Sequence, residues 1–293
     1  MNDPYVWWNG AVMRPCDARL DPRDRAVLYG VGLFETLRSY GGRAFQLASH
    51  LRRLRTTAVR LRLDVGLGSR IVGRAIGELL AACELTRGDA SVRITVTGGL
   101  DGGGIDCPPA SPPSVLIHAR PTLRHRGVQG IHACRAQSDT YRPLPTVKSI
   151  GYLGSVLARL AAREKGCHEA IIVSPDELVL EGANSTILAR LGNVLVTPPL
   201  DGQILPSVTR RIVLEIAANA GITTQEAPIG WPNLLEAREV LSVGSVREVA
   251  SILTIDGHPI GNGAPGAFAR LLFRGYRQRV QRELSGSAAC FRP

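Results

Sequence analysis

Only two of the 35 basic residues in this chain are lysines, Lys148 and Lys165. Arginine serves at the other basic positions, so a lysine that persists is a candidate for work that needs an amine. A primary amine condenses with a carbonyl to a Schiff base and, when neutral, takes up and returns protons; a guanidinium does neither usefully. Lys165 has a structural explanation. In Arg163-Glu164-Lys165-Gly166 it ends a helix, where a cation meets the negative end of the dipole. Lys148 has none. It follows a proline-broken segment, Arg142-Pro143-Leu144-Pro145-Thr146-Val147, and the pattern places it where a helix opens. Composition alone leaves a surviving surface lysine as the alternative.

Three other features carry polar groups suited to a ligand. Glu181 ends an apolar run and precedes Gly182-Ala183-Asn184-Ser185, so a partly buried carboxylate in need of a partner is expected there. That partner is a protonated ring nitrogen or one of the many arginines. Ser207-Val208-Thr209-Arg210 opens a helix after Pro206, with Ser207 a favoured N-cap. The N–H groups of Val208 and Thr209, with the helix dipole, suit an anion. An ordinary capped helix is the plainer alternative. Ser242-Val243-Gly244-Ser245-Val246 is a small-residue turn with further donors, or a plain loop.

The elements that must position these residues are legible in part. Two-residue turns at Asn9-Gly10, Gly41-Gly42, Gly192-Asn193 and Asp256-Gly257 predict four hairpins. Helical spacing predicts a helix over 46–63, with Leu47, Leu51, Leu54, Ala58 and Leu61 on one face. A second spans 69–85, with Ile71, Ala75, Leu79 and Ala82 inward. Further helices are expected over about 149–165, 207–220 and 266–282, and strands over 91–97, 114–119, 170–174, 178–181 and 239–243. Hairpins mixed with helices, without regular βαβ alternation, argue for an α+β fold of two domains. The boundaries expected are a small N-terminal domain over 1–119, a polar connector over 120–130, a larger domain over 131–284 and a loose tail over 285–293.

Composition excludes several classes. No apolar run reaches the roughly 18–20 residues of a membrane span, and the first residues do not read as a signal peptide, so a cytoplasmic protein is expected. Six scattered cysteines show no metal-ligand or redox spacing and read as reduced thiols; no metal site is expected. The net charge of +10 is spread along the chain without a nucleic-acid motif, so it argues for anionic small molecules rather than nucleic acid.

Together the motifs resemble the fold-type IV, or class IV, pyridoxal-phosphate enzymes, a family of branched-chain and D-amino-acid aminotransferases, (R)-amine transaminases and aminodeoxychorismate lyases. The resemblance runs from about Val6 to Tyr276. It rests on Asp24-Arg25-Ala26-Val27-Leu28-Tyr29-Gly30-Val31-Gly32-Leu33-Phe34-Glu35-Thr36, His50-Leu51-Arg52-Arg53-Leu54 and Lys148-Ser149-Ile150-Gly151-Tyr152-Leu153-Gly154. Leu180-Glu181-Gly182-Ala183-Asn184-Ser185, Leu205-Pro206-Ser207-Val208-Thr209-Arg210 and Gly244-Ser245 complete it. It implies a small N-terminal α/β domain and a larger mixed, β-barrel-like domain with helices. It also implies pyridoxal 5'-phosphate as cofactor, an α-amino acid and a 2-oxo acid as substrates, and a homodimer with a shared active site to which a neighbour's first domain gives Phe34 or nearby residues.

Residue by residue, the resemblance makes Lys148 the Schiff-base and proton-moving lysine and Glu181 the carboxylate on the pyridine nitrogen. Arg53 becomes a phosphate ligand with Val208, Thr209 and Ser245, and Tyr152 an aromatic beside the ring. Val246-Arg247 becomes the turn whose backbone receives the substrate carboxylate. Phe34 and Arg93 fall on the substrate side, where Arg93 would meet a side-chain carboxylate. The chain departs from the subfamilies there. It has Thr97-Gly98-Gly99 where D-amino-acid enzymes carry an arginine, and Phe34 where they carry tyrosine. It has Ser91-Val92-Arg93 where branched-chain enzymes carry Tyr-Ile-Arg, and Ser251 for a usual proline. Gly98–Gly104 shares only its glycines with a lyase loop. Transamination is the expected reaction, with an aminodeoxychorismate-type C–N lyase second. A basic binding protein without catalysis is the alternative from another class.

Overall fold

The computed structural model describes residues 4–66, 68–138 and 144–286. The expected segment around Arg142-Pro143 and most of the expected tail lie outside them. The chain divides into two compact units, 1–124 with 147–151 and 125–146 with 152–293. The segment carrying Lys148 therefore groups with the first unit.

The first unit is a six-stranded antiparallel sheet with helices. Its elements are β1 (Val6–Trp8), β2 (Ala11–Met13), α1 (Arg25–Tyr29), β3 (Gly32–Tyr40), β4 (Arg43–Ala44), α2 (Leu47–Arg60), α3 (Ser69–Ala82), β5 (Asp89–Thr97) and β6 (Val115–Pro121), with strand order β2-β1-β6-β5-β3-β4. Asn9-Gly10 and Gly41-Gly42 make the predicted two-residue turns, all four residues at positive φ. The odd residues of β3 face α2 and α3, because strand side chains alternate. Leu37, Leu51, Leu79, Leu80, Val92 and Ile94 are fully removed from solvent there. Each such burial is worth about 1.5–3 kcal/mol. The inward face of α3 differs from expectation. Val72, Ala75, Ile76, Leu79 and Leu80 are buried while Ile71 is exposed. The stripe is turned by one residue, which puts two β-branched side chains against the sheet.

The second unit is built on a nine-stranded mixed sheet. Its strands are β7 (Gln129–Gln137), β8 (Glu169–Val173), β9 (Val179–Gly182), β10 (Thr186–Leu191), β11 (Val194–Thr197), β12 (Thr224–Glu226), β13 (Glu239–Gly244), β14 (Glu248–Ile255) and β15 (His258–Pro259). The order is β12-β11-β10-β13-β14-β7-β8-β9, with β15 on β14. β9 ends this path, yet only Ala183, Asn184 and Ser185 separate it from β10 near the other end. The sheet must curl toward a barrel to allow that. Its helices are α4 (Leu153–Glu164), α5 (Val208–Asn219), α6 (Trp231–Leu235) and α7 (Ala267–Gly286). α7 thus runs past the expected helix end and into the first residues of the expected tail.

Two differences from the sequence prediction bear on function. β7 was not predicted; the expected connector overlaps its start. It is a central strand with parallel partners β14 and β8 on both sides, a non-local arrangement that its half-polar sequence does not announce. α4 begins at Leu153, not at about Ser149, so Lys148 does not open a helix. Residues 148–150 are instead extended along β3: Phe34 N–H donates to the Lys148 carbonyl (2.9 Å) and Ile150 N–H to the Gly32 carbonyl (3.1 Å). Gly32 makes the approach possible. A Cβ there would stand 2.8 Å from Ile150 Cδ1 and 2.6 Å from the Val96 carbonyl oxygen.

Candidate active site

The first unit holds Lys148, Phe34, Arg93 and Arg53. β3 sorts them by parity. Phe34 and Thr36 share one face, and their cross-strand partners on β5 are Thr95 and Arg93. The Arg93 guanidinium stacks 3.6 Å from the Phe34 ring centroid, and Lys148 Nζ lies 4.4 Å from the same centroid. Both cations gain from the ring's negative face. Phe34 therefore lies against the lysine of its own chain. The backbone pairing of β3 with 148–150 is the reason.

Glu35 points the other way, into the core beside α2. His50 Nδ1 lies 2.7 Å from one carboxylate oxygen, and Arg53 grips both, through Nε (2.8 Å) and Nη2 (2.6 Å). Burial alone would raise the Glu35 pKa, but the Arg53 charge and its hydrogen bonds hold it at about 2. Burial lowers the pKa of His50, against the pull of Glu35, so His50 is neutral and donates through Nδ1. Arg53 is thus locked in direction by a bidentate pair that uses two of its five donors. Neither Glu35 nor His50 carries a role among the expectations from sequence. A signal existed: Leu33-x-Glu35-x-Leu37 places a carboxylate on the apolar face of a strand, and a carboxylate there must be paired.

The second unit holds Tyr152, Glu181, Val208, Thr209, Ser245, Val246 and Arg247. Glu181 lies in β9, one residue before its end, is buried, and accepts from Leu205 N–H at 3.3 Å. Gly182 must be glycine, since a Cβ would sit 2.2 Å from Ser185 Oγ. Tyr152 is the N-cap residue of α4, and its hydroxyl donates to the Ala183 carbonyl (3.3 Å). Ser207 caps α5 as expected, accepting from Arg210 N–H at 3.2 Å. Helix geometry gives the N–H groups of Val208 and Thr209 no carbonyl within the helix. The Thr209 and Ser245 hydroxyls approach to 3.4 Å, so the start of α5 and the Gly244-Ser245 turn present their donors together.

A second buried carboxylate, also unassigned from sequence, organises this unit. Glu169, at the start of β8, accepts from Ser185 Oγ (2.8 Å) and Arg247 Nη1 (2.9 Å). Ser242 Oγ donates to Ser185 Oγ (2.9 Å), and Arg247 Nη1 also donates to Ser242 Oγ (3.0 Å). The ring of bonds ties the turn after Glu181 to the turn that contains Ser245 and Val246. The Arg247 side chain is committed to this ring, which leaves its backbone as the part suited to a substrate. Among the described residues no group of His, Cys, Asp and Glu is arranged to hold a metal ion.

The family model described as amino-transferase class IV matches residues 32–255. A putative branched-chain-amino-acid aminotransferase of Methanocaldococcus jannaschii is 33% identical over 273 residues, covering 91% of this chain and 93% of the relative. The branched-chain aminotransferase of Thermoproteus uzoniensis, solved with norvaline, superposes with a TM-score of 0.85 at 29% identity, over 94% of each chain. The branched-chain amino acid aminotransferase of Thermobaculum terrenum, solved in its PLP form, gives 0.82 at 25% identity, over 95% of this chain and 94% of that one.

Proposed function

Since the chain belongs to the class IV aminotransferase family, we propose that it moves the amino group of a branched-chain α-amino acid to a 2-oxo acid, with pyridoxal phosphate as cofactor. The residues present fit that group. Lys148 supplies the amine for its aldehyde. The buried Glu181 carboxylate suits a protonated ring nitrogen. The start of α5 with the Thr209 and Ser245 hydroxyls suits its phosphate, and Arg53, held by Glu35, adds a directed positive charge.

The bound cofactor supplies an electron sink for the pair left when a proton leaves the substrate's α-carbon. The chain does the rest. Lys148 Nζ removes that proton as a neutral amine and returns it one position further on, as general base and then general acid. Glu181 keeps a proton on the ring nitrogen. Val246 and Arg247 offer backbone N–H groups to the substrate carboxylate. Arg93 on Phe34 is suited to the distal carboxylate of a dicarboxylic 2-oxo acid such as 2-oxoglutarate.

One observation carries the proposal: the Lys148 amine 4.4 Å from the Phe34 ring, its backbone clamped to β3, with Arg93 on the same ring. The test is a single turnover. Holoenzyme mixed with leucine, valine or isoleucine and no acceptor is expected to release about one equivalent of the matching 2-oxo acid. Silence with all three, together with pyruvate release from aminodeoxychorismate, would replace transamination by the lyase reaction.

We also propose a homodimer in the cytoplasm. α1 buries none of its residues, and Val27, Leu28 and Tyr29 are exposed with Ile105. A second copy would cover such patches. Five cysteines are free among the described residues, as suits a reducing compartment. No helix among the described residues is long and apolar enough to cross a membrane.

A further inference from the structure

The second unit contains a cavity of about 750 Å3 beside α4. Its polar wall carries three guanidiniums, those of Arg159, Arg163 and Arg247, and no acidic side chain lines it among the described residues. One carboxylate stands behind the wall. Glu169 is fully buried, pairs with Arg247 at 2.9 Å and lies 3.5 Å from Arg159. One negative charge against three positive ones leaves the cavity cationic. Burial lowers the pKa of Arg247, more than Glu169 offsets, so a further anion nearby would be favourable for it.

A second, independent observation points the same way. Ser155, on α4, lines the cavity and is 1% exposed, and its hydroxyl has no hydrogen-bond partner among the described residues. A buried unpaired hydroxyl is costly, so the native state supplies it with a partner. Part of the wall is apolar, formed by Ile131, Val156 and Leu160. A small inorganic anion would leave that part in contact with water.

We infer that this cavity binds an amphipathic organic carboxylate, its charged end on Arg159 and Arg163 with the Ser155 hydroxyl donating to it, and its hydrocarbon body against Val156 and Leu160. The binding does not depend on the transamination assigned above. The occupant would touch Tyr152 and Ala183, which a hydrogen bond joins.

The test titrates holoenzyme, saturated with pyridoxal phosphate, with hexanoate in a calorimeter, with inorganic phosphate and hexan-1-ol as parallel probes. Hexanoate is expected to bind, and neither phosphate nor hexan-1-ol at equal concentration is expected to displace it. The double variant Arg159→Gln, Arg163→Gln is expected to weaken hexanoate at least about tenfold, and Ser155→Ala about threefold, the serine variant with kcat/KM for the amino donor unchanged. Several results would overturn the inference. They are no hexanoate binding to the wild type, as when a second copy covers the cavity; equal displacement by phosphate or hexan-1-ol; or hexanoate binding that the double variant leaves intact, which would place it elsewhere.

Discussion

Each unit contains a fully buried glutamate on a strand, and the two are solved differently. Glu35 is gripped at both oxygens by one arginine and receives a neutral histidine. Glu169 receives a serine hydroxyl and one arginine, with a second guanidinium 3.5 Å away. The first arrangement fixes the direction of one side chain, Arg53. The second fixes the spacing of two turns, those that follow Glu181 and Gly244. A buried carboxylate thus works as a jig in both units, holding a guanidinium in one and backbone in the other. In a chain with almost no lysine, arginine's planar fork makes both possible.

Breaking the first jig has the largest expected effect. Glu35→Ala leaves Arg53 without its counter-charge in a mostly buried site and is expected to cost about 3–5 kcal/mol, read as a lower urea midpoint. Weakened cofactor retention on dialysis should accompany it. Glu169→Gln keeps the volume and some hydrogen bonding, so a smaller loss of about 1–3 kcal/mol is expected. Its distinguishing mark is a raised KM for the amino acid, since the Val246-Arg247 turn loses its tie while Lys148 is untouched. An unchanged KM would remove the claim that Glu169 spaces the two turns. Ser207→Ala removes one cap bond and is expected to cost about 1 kcal/mol, with weaker cofactor binding.

The smallest effect is a pH dependence that arises in the first unit. Glu35 has a folded pKa of about 2 against an ordinary value of 4.5, so its stabilisation is complete above about 4.5 and is lost as pH falls toward 2. The folded pKa of His50 lies below its ordinary value of 6.5, so the unfolded chain takes up that proton first and stability falls as pH drops below 6.5. Both contributions run in the same direction. In His50→Gln the decline in thermal midpoint just below pH 6.5 is expected to flatten relative to wild type; an unaltered profile would show that His50 is not the neutral donor.

How much of this was legible follows from range. Asn9-Gly10, Gly41-Gly42, Gly192-Asn193 and Asp256-Gly257 turn where expected, because a two-residue turn is decided by its own residues. The Ser207 cap is equally local. Lys148 was identifiable by its amine, but its extended backbone was not, because β3 imposes it from more than a hundred positions earlier. β7 escaped for the same reason, being set by parallel neighbours distant in sequence. Glu35 and Glu169 were visible as residues, while their arginines were not assignable among so many.

The central claim concerns Lys148, and the chain's own composition makes it testable in one measurement. Holoenzyme is treated with borohydride, digested, and mapped by mass spectrometry for the reduced cofactor adduct. With two lysines available, the account predicts the adduct on Lys148 in about one equivalent per chain, with Lys165 unlabelled. An adduct confined to Lys165, or none at all in protein that carries the cofactor, would contradict it.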